Sequence, residues 1–356
     1  LATASVHADI HDVYGMVPEP SVLAEMGHWR VKAIKRGIRV FHLNGDEISP
    51  ALDRIEALQP TVLRQGYNII APVWELPRYP AKWARELERF DEIWVPTAFV
   101  EASIRPAVRR PVFRVPNACQ PHVDTVLEKT HFGIPADSFA VLTLLDVRSY
   151  VARKNPSAAI EAFRKLIAAR PNSPARLVIK LNYSERAPHV VEEIRHWVAS
   201  IAGRVTIINA TLTNNETKNL IRCCDCLLSL HRSEGFGRAP AEAMFFGRPV
   251  VATGWSGNME YMNEDVAIPI GYSLRAVREG EYPEFEEQVW ADPDVDGAAG
   301  ALIKIVDQPE FAKSIGARAR AHMLSNFSDA VLGEQYHSRL SHIARAALYR
   351  SRIHGR

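Results

Sequence analysis

Cysteine is scarce in this chain: four residues in 356, at Cys119, Cys223, Cys224 and Cys226. That excludes a disulfide-built scaffold, and the expectation is reduced thiols in a cytoplasmic protein. Long apolar runs are also missing. The stretches 226–230 and 249–253 are typical, far short of the roughly 18 residues that a membrane span requires. Neither sign of charge is in excess: 43 Lys and Arg against 41 Asp and Glu leave a net charge of +2, which argues against a nucleic-acid partner. Residues 1–10 lack the basic and apolar regions of a signal peptide. No solenoid-type repeat or low-complexity stretch occurs. With 47% hydrophobic and 24% charged residues the chain reads as an ordinary globular protein, and its length predicts two domains.

What is present is an alternation of short apolar runs with helical patterns, the mark of βα units and a parallel sheet. Strands are predicted over 38–43, 68–73, 92–95 and 112–115, with helices over 22–35, 49–58, 83–90 and 98–104. Ser49 and Pro50 read as N-cap and first helical position. The pattern breaks at 121–136, where His131-Phe132-Gly133-Ile134-Pro135 marks a turn, so the first domain is set at 1–134 and the second at 135–330. In the second, strands are predicted over 139–145, 176–181, 205–208, 226–230, 249–253 and 267–270. Helices fall over 156–169, 190–201, 216–224 and 238–246, and from residue 294 the sequence is helical to about 349. Asn155 and Pro156 repeat the start signal. Residues 331–356 are set apart as a terminal helix that packs back toward the first domain. The fold class is α/β, two parallel-sheet domains in series with the carboxyl ends of both sheets facing a cleft.

The stretch richest in chemistry runs from His231 through Glu234-Gly235-Phe236-Gly237 to Glu242. A strand, a glycine-rich turn and a helix start gather free backbone N–H groups and the helix dipole at one point, which suits a phosphate. Gly235 and Gly237 allow close backbone approach to a ligand. The plain alternative is an ordinary βα turn. Upstream, Arg148, Arg153 and Lys154 put three cations before the helix that opens at Pro156, again a phosphate-binding pattern, or else a solvated basic loop.

Glu234 and Glu242 flank the Gly-Phe-Gly turn, and Gly247-Arg248-Pro249-Val250-Val251-Ala252-Thr253 follows. This run closely resembles the retaining glycosyltransferases of the large family 4 group, which have the GT-B architecture of two Rossmann-like domains about a central cleft. The resemblance is specific over 145–260 and extends over 68–316. It implies that Glu234 sits against the donor sugar, that Glu242 binds the nucleotide ribose, and that Arg148 and Lys154 contact the diphosphate. Gly235, Phe236, Gly237, Arg153 and His231 complete the donor side. His42, Asn44, Asp46, Glu75 and Arg78, at or after strand ends of the first domain, are the acceptor-side candidates. Trp74-Glu75-Leu76-Pro77-Arg78-Tyr79-Pro80 resembles the subgroup that builds bacterial surface polysaccharides, which slightly favours GDP-mannose as donor. Members begin with a strand and a Gly-rich loop. Residues 1–37 carry only Gly15, Gly27 and Gly37, so the N-terminal domain is expected to lack its first βα unit.

The implied reaction moves a hexose from a nucleotide-diphosphate sugar to a glycan or lipid-linked acceptor with retention of configuration, without metal or other cofactor. A glycoside hydrolase is disfavoured, because eight helical positions would part Glu234 and Glu242 by about 12 Å, beyond the roughly 5–9.5 Å such enzymes use. A dehydrogenase lacks its early Gly-x-Gly-x-x-Gly. A non-catalytic nucleotide-sugar binder and a GT-B epimerase or phosphorylase stay open. Arg339, Arg345, Arg350, Arg352 and Arg356, and separately Arg30, Lys32, Lys35, Arg36 and Arg39, form basic groups that could meet anionic lipid at the inner face of a membrane. The alternative is a solvated helix face. His7 and His11, Asp292-Pro293-Asp294 and the three clustered cysteines are read as non-metal features: a chain end, a helix-start carboxylate and core thiols.

Overall fold

A computed structural model describes residues 8–13, 29–31, 34–35 and 37–353, with side chains through residue 346. It divides into two compact units, one of Leu1–Trp74, Arg78–Ala118 and Asn326–Arg356, the other of Glu75–Pro77 and Cys119–Ser325.

The first unit holds a parallel sheet of β1 (Gly37–Phe41), β2 (Gly66–Ile70), β3 (Glu92–Val95) and β4 (Val112–Arg114), side by side in chain order. Between them lie α1 (Ile48–Leu58), α2 (Ala81–Leu87) and α3 (Ala98–Ile104). Ser49 does not cap α1; Glu47 holds that position, and the Ser49 hydroxyl donates to Glu86 instead (2.8 Å). One sheet face, with Ile69 and Trp94, packs against Ile343 and Tyr336 of the C-terminal helix Asp329–Ile353.

That helix is fixed by a buried charge. Glu92 is fully buried and accepts from the Tyr67 hydroxyl (2.9 Å), the Trp94 indole (2.5 Å) and both Nε (2.9 Å) and Nη2 of Arg339. The Arg339 guanidinium also lies 3.7 Å from the Phe113 ring centroid. Arg339 thus faces inward and is not the lipid-facing cation that the basic tail suggested. Arg39 is likewise buried, donating to Asn68 (2.9 Å). Arg30 pairs with Asp12 at 3.3 Å and Lys35 with Asp9 at 2.6 Å, so acids distant in sequence pair with these two cations of the second group. Lys32, Arg36, Arg356, His7 and most of the helix expected over 22–35 lie outside the described residues, as do the side chains of Arg350 and Arg352. Arg339→Ala would strand the Glu92 carboxylate without its cation. The expected loss is roughly 3–5 kcal/mol of stability, read by urea unfolding.

The second unit is built on β5 (Phe139–Asp146), β6 (Ala175–Asn182), β7 (Val205–Ile208), β8 (Cys226–Ser229), β9 (Val250–Thr253) and β10 (Ile268–Ile270). All pair in parallel, in the spatial order β10-β9-β8-β5-β6-β7. Read from the other edge this is the 3-2-1-4-5-6 order of a doubly wound Rossmann sheet, and the order reverses between β5 and β8. Helices α4 (Val151–Lys154), α5 (Pro156–Ala169), α6 (Pro188–Val198), α7 (Asn214–Cys223), α8 (Arg238–Phe245), α9 (Val295–Asp307) and α10 (Pro309–Asn326) complete it. The inner strands β5, β6, β8 and β9 are buried along most of their length, as expected where helices cover both faces, while the edge strands β7 and β10 are mostly half-buried. Cys223, Cys224 and Cys226 are buried free thiols, and Asp294 caps α9 by accepting from the Asp296 and Gly297 amides.

The antiparallel pair Tyr272–Ala276 and Val289–Pro293, β11 and β12, is absent from the sequence reading. Tyr272, Ser273 and Leu274 are all exposed, so β11 shows no alternation to recognise.

Candidate functional site

In an open parallel sheet, ligands bind outside the carboxyl ends of the strands where the order reverses. Here that point lies between the segments that leave β5 and β8, the two the sequence singled out. They are stitched together. The Arg232 amide donates to the Arg153 carbonyl (2.7 Å), and the Asn155 side chain donates to the Leu230 carbonyl (3.0 Å). Asn155 does stand before Pro156 at the start of α5, but its side chain caps nothing; it spends its donor across the loop.

At the junction, Glu234 lies between two cations. Lys154 Nζ is 2.5 Å from its Oε1 and Arg153 Nη1 is 3.2 Å from its Oε2. Arg153 is buried and further donates to the carbonyls of Ser233 (2.8 Å) and Ser149 (3.2 Å). Burial alone would raise the Glu234 carboxyl, but Lys154 and Arg153 outweigh it and hold the group well below the usual carboxylate range. Glu234 is therefore an ion at neutral pH. Burial opposes the Arg153 charge too, and Glu234 with Glu75 more than restores it.

His231 plays a different part from the one expected. Fully buried, it stays neutral because burial lowers its pKa. Its Nε2 meets Asn258 Oδ1 at 3.0 Å and its Nδ1 meets the Ser229 hydroxyl at 2.9 Å. Asn258 donates through Nδ2 to the Thr253 carbonyl (2.8 Å), which fixes its oxygen toward the imidazole, so Nε2 donates and Nδ1 accepts. Both ring nitrogens are spent inside the protein. His231 fastens the exit of β8 to the exit of β9 rather than offering a ring nitrogen to a ligand.

The glycine turn is held from below by 256–258. The Glu234 amide donates to Ser256 Oγ (2.9 Å) and the Gly257 amide to the Glu234 carbonyl (2.8 Å). A Cβ on Gly257 would stand 2.1 Å from the Gly235 carbonyl oxygen, so only glycine fits this crossing. Gly237 has φ 82° and serves as N-cap of α8, while its carbonyl accepts from the Tyr261 hydroxyl (2.5 Å). The Phe236 ring is buried, 5.2 Å from that of Tyr261, leaving backbone at the turn. With no side-chain cap on α8, the N–H groups of its first turn are the groups that a bound anion would satisfy. One turn further, Glu242 is buried, with Lys218 Nζ at 2.5 Å and Arg238 Nη2 at 3.4 Å.

Arg148 is not brought to Glu234. Its Nη2 and Nε bond Asp146 at 2.9 and 3.2 Å, and its guanidinium lies 3.2 Å from the centroid of the Tyr183 ring. A carboxylate two residues away and an aromatic face hold it there, and the hydrogen bond to Asp146 raises its pKa. The second cation at Glu234 is Arg153. Beside Tyr183, a cavity of about 370 Å³ opens among Leu181, Arg195, Asn209 and Ala210 at the ends of β6 and β7.

Glu75 corrects a further expectation. It belongs with the second unit, not with an acceptor side in the first. Its Oε2 accepts from the Tyr282 hydroxyl at 2.6 Å, its Oε1 is 3.9 Å from Arg153 Nη2, and its carbonyl accepts from the Ser233 hydroxyl. Tyr282, in the irregular stretch between β11 and β12, carries no sequence signal. Ser256 and Asn258 follow the run that ends at Thr253, and the sequence reading gives them no role. His42, Asn44 and Asp46 are exposed beyond β1 in the first unit. Asn44 Oδ1 accepts from the Val73 amide (3.3 Å), and the Arg78 carbonyl accepts from the Trp74 indole (2.9 Å).

Comparison with known proteins gives this geometry a context. Residues 142–289 match the family model described as Glycosyl transferases group 1. Human alpha-1,3/1,6-mannosyltransferase ALG2 is 24% identical over 202 residues, 54% of this chain and 43% of that protein. The chain thus spans less than half of that curated relative. Among solved structures, TarM of S. aureus is 12% identical over 85% of this chain and 55% of that one, with a TM-score of 0.60. Anabaena Alr3699/HepE, solved with UDP and glucose, is 16% identical over 85% of this chain and 77% of that one, with a TM-score of 0.63. At such identities these likenesses show the fold, two Rossmann-like units of the GT-B class.

Proposed function

Given the glycosyl transferases group 1 domain that residues 142–289 form, we propose that this chain is a retaining glycosyltransferase. On this reading it moves a hexose from a nucleotide-diphosphate sugar, GDP-mannose ahead of other donors, to a glycan or lipid-linked acceptor. The observation that carries the reading is Glu234, buried and ionised between Lys154 and Arg153 at the foot of α8. The named mannosyltransferase relative supports the choice of sugar.

The chemistry follows from where charge develops. Breaking the bond between the anomeric carbon and the diphosphate oxygen leaves negative charge on the diphosphate and positive charge on the sugar ring. Lys154 and the first-turn amides of α8 are suited to the former, the Glu234 carboxylate to the latter. The departing phosphate oxygen accepts the proton of the acceptor hydroxyl as the new bond forms on the same face, so no covalent enzyme intermediate is needed. Buried Glu242 is assigned to the ribose hydroxyls, where it would exchange contacts with Lys218 and Arg238.

A thermal-shift screen of GDP, UDP, dTDP and ADP sugars followed by labelled-sugar transfer tests this. At a hundred times Kd a bound donor adds about 2.7 kcal/mol, a clear rise in Tm. GDP-mannose is expected to give the largest rise and to release labelled mannose onto an acceptor, with turnover unchanged by EDTA. Binding without transfer would support a non-catalytic nucleotide-sugar binder, and loss of turnover with EDTA would overturn metal independence.

A further inference from the structure

Arg153 and Lys154 are adjacent in sequence and touch the same carboxylate, yet their surroundings differ. The Arg153 side chain is 5% exposed and is held on four sides, by the Ser149 and Ser233 carbonyls, Glu234 and the more distant Glu75. Lys154 is 22% exposed, and Glu234 is its only ion-pair partner among the described residues. Glu75 is itself fixed. Tyr282 donates to it at 2.6 Å, Tyr282 packs edge-on against Tyr150 with ring centroids 4.8 Å apart, and the Glu75 main chain is tied to Ser233, the neighbour of Glu234. Tyr150 itself has φ 63°, a left-handed conformation that costs a tyrosine energy and that the surrounding contacts hold in place.

We propose that Glu75, locked by Tyr282, is a positioning residue that keeps Arg153 as the permanent counter-ion of Glu234, leaving Lys154 as the exchangeable cation that moves to an incoming diphosphate. The inference rests on the phosphate-binding reading of this site but adds a division of labour between the two cations. A site with two equally mobile cations would have to strip Glu234 of both partners to bind a diphosphate, leaving a bare buried carboxylate. With Arg153 held by Glu75, Glu234 keeps one partner throughout.

The test uses the full chain and inorganic pyrophosphate as probe, read by NMR of lysine Nζ and arginine Nε signals. On titration, the Lys154 signal is expected to move while Arg153 Nε–H stays protected from exchange. In Glu75→Gln, Arg153 should lose that protection, and in Tyr282→Phe it should lose it in part, with Glu75→Asp recovering some of it. If both cations move, if neither moves, or if Glu75→Gln leaves Arg153 protected, the proposal is overturned. Should the chain turn over a nucleotide sugar, Glu75→Gln is expected to lower kcat roughly 10- to 100-fold with KM for the donor within about twofold. A purely structural Glu75 would instead lower Tm and leave the kcat-to-KM split unmoved. Failure of every nucleotide sugar to react would sink the transferase reading alone, since the pyrophosphate titration does not depend on turnover.

Discussion

Lys154→Ala is expected to lower kcat by about 10²–10³-fold, a barrier increase of roughly 2.7–4 kcal/mol. The magnitude is that of losing one preorganised group aimed at a developing negative charge. Its physical basis is the environment: Lys154 is one-fifth exposed and lies 2.5 Å from an ionised carboxylate, so its ammonium is already placed before a donor arrives. Arg153 cannot substitute, because it is anchored to two backbone carbonyls and to Glu234. Lys154→Arg restores the charge on a longer, planar group, and only part of the rate should return. Folding should be little affected, since Glu234 keeps Arg153. Steady-state kinetics with the donor chosen by thermal shift, alongside the Tm of each variant, checks this. A Lys154→Ala enzyme with normal kcat would remove the ammonium from the leaving-group role.

How much of this was legible in the sequence depends on the range of the interaction. Strand β3 is found at the bounds predicted for it, because a parallel strand buried on both faces writes itself as a continuous run; β7, the partly buried edge strand, is also found at its predicted bounds. The glycine turn and Glu234 were legible for a similar reason: a strand, a sharp turn and a helix start are local events. Cation identity was not. Arg148, Arg153 and Lys154 share one short segment, and nothing in their spacing says that Asp146 and Tyr183 would hold the first while Glu234 takes the other two. Glu75 and Tyr282 are further still beyond reach, since 207 positions separate the two ends of their hydrogen bond. For His231, its place in the motif suggested a ligand contact, and spacing along the chain carries no sign that Ser229 and Asn258 meet its two ring nitrogens.

Glu234 and Glu242 should part company when each is replaced by glutamine, which keeps volume and removes charge. In Glu234→Gln, Lys154 loses its carboxylate and is left free, so nucleoside diphosphate should bind as tightly as in the parent or tighter. Turnover, by contrast, should fall by about 10²–10³-fold, because the charge beside the sugar ring is gone. In Glu242→Gln the ribose contact weakens, and diphosphate and monophosphate nucleotides should both bind less well, by roughly 1.5–3 kcal/mol for a charged hydrogen bond. Calorimetric titration with GDP and GMP, set against kcat, separates the two; parallel losses of binding in both variants would contradict the roles. A pH signature accompanies Glu234. Its carboxyl is depressed in the folded state, so the stability it contributes is complete above the unfolded carboxylate value of about 4.3 and drains away as pH falls below that toward the folded value. Glutamine has no proton to take up. The acid side of the stability curve, followed by urea unfolding from neutral pH downward, should therefore be shallower in Glu234→Gln than in the parent, and an unchanged slope would mean that Lys154 and Arg153 do not hold that charge.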